Sequence, residues 1–303
     1  MRNNYLQQVI PVIVTYNPDI LNFTKLVDSL VLFDEVTLVD NGSDNVSSLQ
    51  ALCSTYNNIL AQYLPSNVGL AQAQNIAIDS IKNGEIGVFV LLFDQDSVPV
   101  NDCIEVLHGY ANELINNGVN LGVIGPALED AFCESRYGFI KNGKRFYKED
   151  AGNSMFQCDG INSSGSLIPL EAWQELGGNN KELFIDHVET DWCFRARAAG
   201  YVCYGTFDAL LSHSMGESTI KYWFFGWRTM PDRTPERHYY LFRNSIFLQQ
   251  QSYVPISWKY KNVLKLILTI SYFGVFHRHR VKHTSNMYVG LKDGINKRLG
   301  VKK

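Results

Sequence analysis

Val88-Phe89-Val90-Leu91-Leu92-Phe93-Asp94-Gln95-Asp96-Ser97 sets six apolar residues directly before two carboxylates spaced two apart. A short, unbroken apolar run bounded by polar residues reads as a strand buried on both faces, which belongs inside a parallel sheet rather than at its edge. The polar exit Asp94-Gln95-Asp96 then lies where the strand leaves the sheet. Two carboxylates there repel each other unless a cation or hydrogen-bond donors compensate, and Mg²⁺ or Mn²⁺ suits such hard oxygen ligands. The Asp-x-Asp pair arises by chance in many chains, so its weight comes from its surroundings.

Upstream, apolar runs alternate with segments of helical period. Strands are expected over Val9 to Thr15, Glu35 to Val39 and Ala61 to Leu64, with helices over Leu21 to Leu32, Val46 to Tyr56 and Leu70 to Asn83. This alternation is the βαβ signature of a parallel sheet. Ligands of such sheets bind beyond the carboxyl ends of the strands. Three polar exits therefore converge on one crevice: Thr15-Tyr16-Asn17, Asp40-Asn41-Gly42-Ser43 and Asp94-Gln95-Asp96. Downstream, a helix near Cys103 to Asn116 and a strand near Gly122 to Ile124 precede a loop-rich stretch from Glu129 to Asn153.

Each exit carries a chemical reading beside a plain one. Asp40-Asn41 pairs an acceptor-only carboxylate with an amide, which suits the imide edge of a pyrimidine base; Asp-Asn-Gly-Ser equally suits an Asx-type turn. Asn67-Val68-Gly69-Leu70-Ala71 opens a helix whose amides can face a phosphate, while Ser66 or Asn67 can simply cap it.

The whole chain is that of a folded protein: 303 residues, 46% hydrophobic and 19% charged. Its six cysteines show neither a CxxC pair nor regular spacing, which argues against zinc and disulfide scaffolds and fits a reducing cytoplasm. The apolar run after the polar N-terminus is broken by Pro11, so it reads as a first strand rather than a cleavable signal. The first strand lacks the following Gly-rich fingerprint of dinucleotide-binding oxidoreductases, having Thr15-Tyr16-Asn17-Pro18 instead.

Taken in order and spacing, Val14-Thr15-Tyr16-Asn17, Val39-Asp40-Asn41-Gly42-Ser43, Asn67-Val68-Gly69-Leu70-Ala71 with Asn75, and Phe93-Asp94-Gln95-Asp96-Ser97 resemble the nucleotide-binding half of glycosyltransferase family 2. The resemblance extends through Gly160 to Ile168 and Phe184 to Arg195 and covers about residues 8 to 250. Within the family the chain looks most like bacterial dTDP-rhamnosyltransferases of O-antigen, lipopolysaccharide and other surface-polysaccharide synthesis.

The resemblance implies an α/β chain of GT-A fold: a mostly parallel, Rossmann-like sheet flanked by helices, with a C-terminal helical extension. A GT-A domain would span 1–255, with a nucleotide-binding half of about 1–100 and an acceptor half of about 101–255, and a basic, apolar tail would span 256–303. It implies that Thr15, Tyr16, Asn17, Asp40, Asn41, Asn67, Gly69, Asn75, Asp94 and Gln95 hold the donor and that Asp96 binds Mg²⁺ or Mn²⁺, with His213 as a second metal ligand. The usual Glu-Asp-x-Asp-Leu-x-x-Arg pattern stands here as Val188-Glu189-Thr190-Asp191-Trp192-Cys193-Phe194-Arg195. That places Glu189 as the base of an inverting displacement, with Asp191 as the alternate. Read without the family, Glu189 and Arg195 would form a helix-surface network. Arg243, in Arg237-His238-Tyr239-Tyr240-Leu241-Phe242-Arg243-Asn244, would neutralise diphosphate charge, since a guanidinium fork matches phosphate oxygens. A UDP-hexose donor, or a non-catalytic nucleotide-sugar-binding subunit, are the competing readings.

The net charge of −3 conceals an asymmetry. Residues 259–303 hold eleven Lys/Arg and one acid, against sixteen and twenty-nine in the remainder, so the tail carries +10 and the body −13. The tail encloses the apolar run 263–276, too short and interrupted to span a bilayer. A helix lying on an anionic membrane surface fits it better, with a helix packed on the body as the plain alternative; nucleic acid is not an expected partner. The expected setting is the inner face of the plasma membrane, with a polyprenyl-diphosphate-linked glycan as acceptor.

Overall fold

The computed structural model describes residues 5–81, 87–130, 136–141, 144–146, 154–213, 219–223 and 227–302. The chain opens with α1 (Tyr5–Gln8), β1 (Val9–Thr15), α2 (Ile20–Ser29), β2 (Val36–Asp40), α3 (Val46–Cys53), β3 (Ile59–Tyr63), α4 (Leu70–Asp79) and β4 (Phe89–Asp94). These are the expected βαβ units with ends shifted by a few residues. The helix start at α2 is set by Asp19, whose Oδ1 accepts from Asn22 N at 2.9 Å. All seven residues of β1 are buried, as a strand covered by helices on both faces requires. Pro11 has no N–H to give, and β2 pairs with β1 only from Val12 onward.

Next come β5 (Ser97–Val100), α5 (Cys103–Asn116), β6 (Leu121–Asp130), β7 (Arg136–Tyr137), β8 (Phe139–Lys141), β9 (Lys144–Phe146), β10 (Met155–Gln157), β11 (Leu167–Pro169) and α6 (Leu170–Glu175). The stretch expected as loop thus contains short strands, and its remainder lies outside the described residues. After a 3₁₀ turn at Lys181–Leu183, the chain forms α7 (Val188–Ala198), β12 (Val202–His213), the hairpin β13 (Thr219–Trp223) with β14 (Trp227–Pro231), and the helices α8 (Pro235–Gln249), α9 (Ile256–Val275) and α10 (Arg280–Ile295).

The main sheet runs β10-β12-β6-β11-β4-β1-β2-β3. β3, β2, β1 and β4 are mutually parallel, as are β6 and β12, and β11 is antiparallel to both β4 and β6. The expected mostly parallel sheet flanked by helices is present. Alternate residues of β4 feed two cores: Leu91 and Phe93 pack with Phe23, Leu49 and Leu107 on one face, and Val90 and Leu92 with Ala73, Trp173 and Trp192 on the other. Register aligns the strand exits, since Thr15 stands opposite Asp40 and Val14 opposite Asp94. The three polar ends therefore share one edge of the sheet.

The C-terminal helices do not hang free of the body. α10 runs along α8 through Gly290 and Gly294, where a Cβ at Gly294 would lie 2.6 Å from the carbonyl oxygen of Arg243. This seam decides the sign of a substitution. Alanine in an open helix gains about 1 kcal/mol over glycine, but overpacking costs about 1–3 kcal/mol. Gly294→Ala is expected to lower the thermal midpoint, and an unchanged or raised midpoint would contradict the seam.

Candidate functional site

The floor of the crevice is a set of buried polar groups that lock the strand exits together. Asp40 is fully buried, and its Oδ1 accepts from Thr15 Oγ1 at 2.9 Å and Ser43 Oγ at 2.5 Å, while Oδ2 accepts from Ser43 N at 3.0 Å. The Asx-type turn is therefore formed, and Thr15 and Asp40 brace each other rather than present free edges. Asn17 adopts φ 49° and fastens the first exit to the second, donating N–H to Ser43 Oγ and accepting from Asp44 N, both at 2.7 Å. Gln95 grips the backbone of Tyr16, accepting from its N at 2.8 Å and donating to its carbonyl at 3.3 Å. The Tyr16 ring itself is exposed.

Asn41 ties the floor to the next loop, donating to Asn67 Oδ1 at 3.0 Å and accepting from Val68 N at 2.8 Å. Asn67 Oδ1 also accepts from Gly69 N at 2.9 Å, which shapes the loop before α4; the N-cap itself is Gly69, so neither Ser66 nor Asn67 caps the helix. Gly69 needs its freedom twice: its φ is 90°, and a Cβ there would lie 2.5 Å from the Phe184 ring. The α4 terminus expected to meet phosphate already gives Ala71 N to Phe184 O at 3.3 Å. Asn75 is likewise engaged, exchanging two 2.9 Å hydrogen bonds with the backbone of Asn179. Asn41 and Asn67 thus brace loops within the first half, while Gly69 and Asn75 join it to the second.

The far wall is the segment leading into α7. Phe184 (φ 66°), Asp186 (φ 66°) and His187 (φ 64°) all occupy the positive region, at about 1–2 kcal/mol each. With ψ −68° at Phe184 and Ile185 N donating to Leu183 O at 2.8 Å, residues 183–185 form a strained γ-turn. Such strain persists only where surrounding contacts enforce it, and it concentrates at functional sites. Glu189 follows in the first turn of α7.

Burial pushes the Glu189 carboxyl above its ordinary value, and the charges of Asp186 and Asp94 push it further, against its own backbone N–H and Arg233. Asp94, at the end of β4, and Glu189 therefore share one field, although 95 positions separate them. Glu189 also borders a small cavity with Gln74, Ser163, Asn179 and Trp192. Asp191 has a different setting. It is fully buried, paired with Arg195 Nε at 2.9 Å, and accepts from Tyr253 Oη at 2.6 Å. A carboxylate so enclosed is a structural anchor, and Arg195 pairs with it rather than with Glu189. Between the two candidate bases, the geometry favours Glu189.

Asp94 ends β4 and Asp96 lies with Gln95 in the two-residue link to β5, both half-buried. The last residue of β12, His213, stands opposite Ser97 in the backbone register, one position from Asp96; its side chain lies outside the described residues. Two hard carboxylates at one strand exit fit Mg²⁺ or Mn²⁺, which is commonly held by one or two carboxylates plus substrate phosphates. Among the described residues, no group of three or more His, Cys, Asp or Glu side chains forms a complete cage.

Arg243 does not reach this crevice. It is fully buried and donates to the carbonyls of Gly300, Glu182 and Leu183 and to Asn244 Oδ1, with its guanidinium 4.9 Å from the Tyr240 ring centre. Its fork matches backbone carbonyls rather than phosphate. Among the described residues, Arg233 and Arg237 pair with Asp186 in the segment before α7. Although burial pushes the Asp186 carboxyl up, these two guanidinium groups hold it below the ordinary range. The sequence reading assigned no role to Asp186, Arg233 or Asn244, because nothing in local spacing joins an acid before one helix to residues some fifty positions later.

Comparison with known proteins places this geometry in context. The model of the family described as Glycosyl transferase family 2 matches residues 12–166. The chain is 27% identical over 290 residues, covering 94% of each chain, to the dTDP-rhamnosyl transferase RfbF of Shigella flexneri. Among solved structures, it resembles S. aureus TarS 1-349 in complex with UDP-GlcNAc, with a TM-score of 0.57, 16% identity, and coverage of 96% of this chain and 81% of that one. It also resembles GalNAc-T7 with UDP, GalNAc and Mn²⁺, at a TM-score of 0.57 and 14% identity, covering 87% of this chain but only 55% of that one. These structural likenesses are likenesses of fold.

The raised Glu189 carboxyl makes a signed prediction. A carboxyl whose folded value exceeds its unfolded value favours the fold below the unfolded value and loses that advantage as pH rises through the folded one. Glu189→Gln should therefore raise the thermal midpoint at pH 7–8, with the gain vanishing below about pH 4.5. A midpoint lowered at neutral pH would contradict the buried, acid-flanked setting of Glu189.

Proposed function

The chain belongs to glycosyl transferase family 2, and from that membership we propose that it moves L-rhamnose from dTDP-L-rhamnose to a hydroxyl of a lipid-linked glycan by one inverting displacement. That it is a glycosyltransferase follows from the family. The choice of donor draws on the relative named as a dTDP-rhamnosyl transferase, which aligns along nearly the whole chain. The observation that carries the mechanism is the convergence of Asp94 and Glu189 on one crevice from opposite halves of the fold.

Glu189 serves as general base in this reading. It takes the proton of the acceptor hydroxyl as the acceptor oxygen bonds to the anomeric carbon and the bond to the diphosphate breaks, releasing dTDP. Its depressed acidity suits the task, because a carboxylate of higher pKa takes a proton more readily. Asp94 faces the ribose and sugar, and Tyr16, held by Gln95, offers an exposed ring at the mouth. Asp96, with His213 as second ligand, would hold Mg²⁺ or Mn²⁺, which when bound supplies charge to stabilise the leaving diphosphate. Asp186 with Arg233 and Arg237 forms a fixed ion cluster that sets the field around Glu189.

The tail supports a peripheral attachment. Ile256, Tyr260, Val263, Leu264, Ile267 and Ile270 are exposed along one side of α9, while Asn262, Leu266, Thr269 and Phe273 on the other side pack inward. The +10 charge of residues 259–303 complements an anionic lipid surface. Among the described residues, no helix is long and apolar enough to cross a membrane. An amphipathic helix lying in the interface is the arrangement proposed, bringing the crevice to a polyprenyl-diphosphate-linked acceptor at the inner face of the plasma membrane.

Two measurements test this reading. In thermal-shift titrations with Mg²⁺ or Mn²⁺, dTDP-L-rhamnose should stabilise the protein by about 2.7 kcal/mol at a hundredfold excess over its Kd, and UDP-hexoses at the same concentration should stabilise it less. Asp96→Asn should abolish the metal-dependent part. Preferential stabilisation by a UDP-hexose would sink the rhamnose assignment. In flotation with vesicles containing anionic lipid, the intact chain should float and the Leu264→Glu, Ile267→Glu double variant should not; equal flotation would remove α9 from the docking surface.

A further inference from the structure

Glu189 is delivered by a segment that cannot hold its own shape. Leu183 to His187 contains the γ-turn and three non-glycine residues at positive φ, so neighbouring side chains must impose the conformation. Most of them come from three consecutive residues of α8. Asn244, fully buried, directs its Nδ2 at three carbonyls of this segment: Leu183 O at 2.9 Å, Ile185 O at 2.8 Å and Asp186 O at 2.9 Å. Ser245 Oγ lies 2.9 Å from His187 Nε2, whose ring burial drives toward the neutral form, with a value lowered to about 3. Arg243 donates to Glu182 O at 3.0 Å and Leu183 O at 2.8 Å.

The same bracket reaches the C-terminal peptide. Arg243 also donates to Gly300 O, Gly300 N donates to Glu182 O at 2.8 Å, and Lys302 N donates to Tyr240 Oη at 3.0 Å. Phe184 stacks on Tyr240 with ring centres 4.7 Å apart, closing the connection from the γ-turn to α8. Residues 300–302 thus meet the segment at Glu182 and α8 at Tyr240 and Arg243.

We propose that Arg243, Asn244 and Ser245, together with the C-terminal peptide at Gly300, are positioning elements that set the place of the Glu189 carboxylate for proton abstraction. The inference rests on Glu189 being the base, and it assigns the Arg243-Asn244 element a task unlike phosphate binding. None of the four needs to touch donor or acceptor. Their loss lets the segment relax toward ordinary backbone angles and carries the start of α7, and Glu189 with it, away from the acceptor hydroxyl. A misplacement on the order of 1 Å is enough to cost about a hundredfold in rate.

The test is a double-mutant cycle on turnover, using the full chain, dTDP-L-rhamnose and a soluble glycan acceptor so that membrane docking plays no part. Asn244→Asp, which keeps the shape and removes the amide donors, should lower kcat by about 10–100-fold with the donor KM changed less than threefold. Ser245→Ala should give a smaller loss of the same kind, and Gly300→Ala, strained at the φ of 85° held there, should lower kcat from a position remote from substrate. In the Glu189→Gln background, Asn244→Asp and Ser245→Ala should cost nothing further, because there is no base left to position. If Asn244→Asp does not fold, Ser245→Ala and Gly300→Ala carry the cycle. Full losses that multiply in the Glu189→Gln background, or losses confined to KM, would overturn the positioning role. Wild-type turnover in Glu189→Gln would instead overturn the assignment of the base.

Discussion

Three L residues held at positive φ within four positions, Phe184, Asp186 and His187, form the constraint around which the crevice is organised. An unsupported chain would leave this conformation at once, so the cost of about 1–2 kcal/mol per residue is offset by the buried amide of Asn244, the fork of Arg243 and the Asp186 ion cluster. From the other direction, Gly69 accepts the Phe184 ring only because it has no Cβ, and α4 receives the Phe184 carbonyl at its N-terminus. One short segment thereby joins the parallel half of the sheet, α7 and α8. Glu189 is placed by this junction rather than by the regular geometry of its own helix.

The electrostatics follow from the same arrangement. Asp94 and Asp186 approach from β4 and the segment before α7, and both raise the cost of ionising Glu189. Arg233 and Arg237 neutralise Asp186, and that leaves the Glu189 carboxyl as the acid-flanked group whose proton is held more firmly than usual. Asp96 lies in the link between β4 and β5.

The parallel half of the fold was legible in the sequence because its strands are continuous apolar runs with polar exits: β1 matches its expected bounds, and β4 differs by one residue at each end. β11 escaped notice, since three residues inserted antiparallel between β4 and β6 carry no period of their own. In the site, the strand-exit residues stand together as their spacing predicted, but most serve as braces: Asp40 closes on Thr15 and Ser43, and Asn75 on Asn179. Arg243 was misjudged because its residue type suits phosphate and carbonyl oxygens alike, and only the fold reveals which of them it meets. Asp191 looked equivalent to Glu189 in the motif, and their difference is one of burial and partners, which spacing along a helix does not encode.

A single base acting across the sugar from a diphosphate at the strand exits is the core of the proposed mechanism. The most direct measurement is the anomeric configuration of the new linkage, read by NMR on product formed from dTDP-L-rhamnose. One displacement driven by Glu189 predicts a configuration opposite to that of the donor, with no trace of the other anomer. Retention of the donor configuration would require a second nucleophile in the crevice and would contradict the arrangement described for Asp94, Asp96 and Glu189.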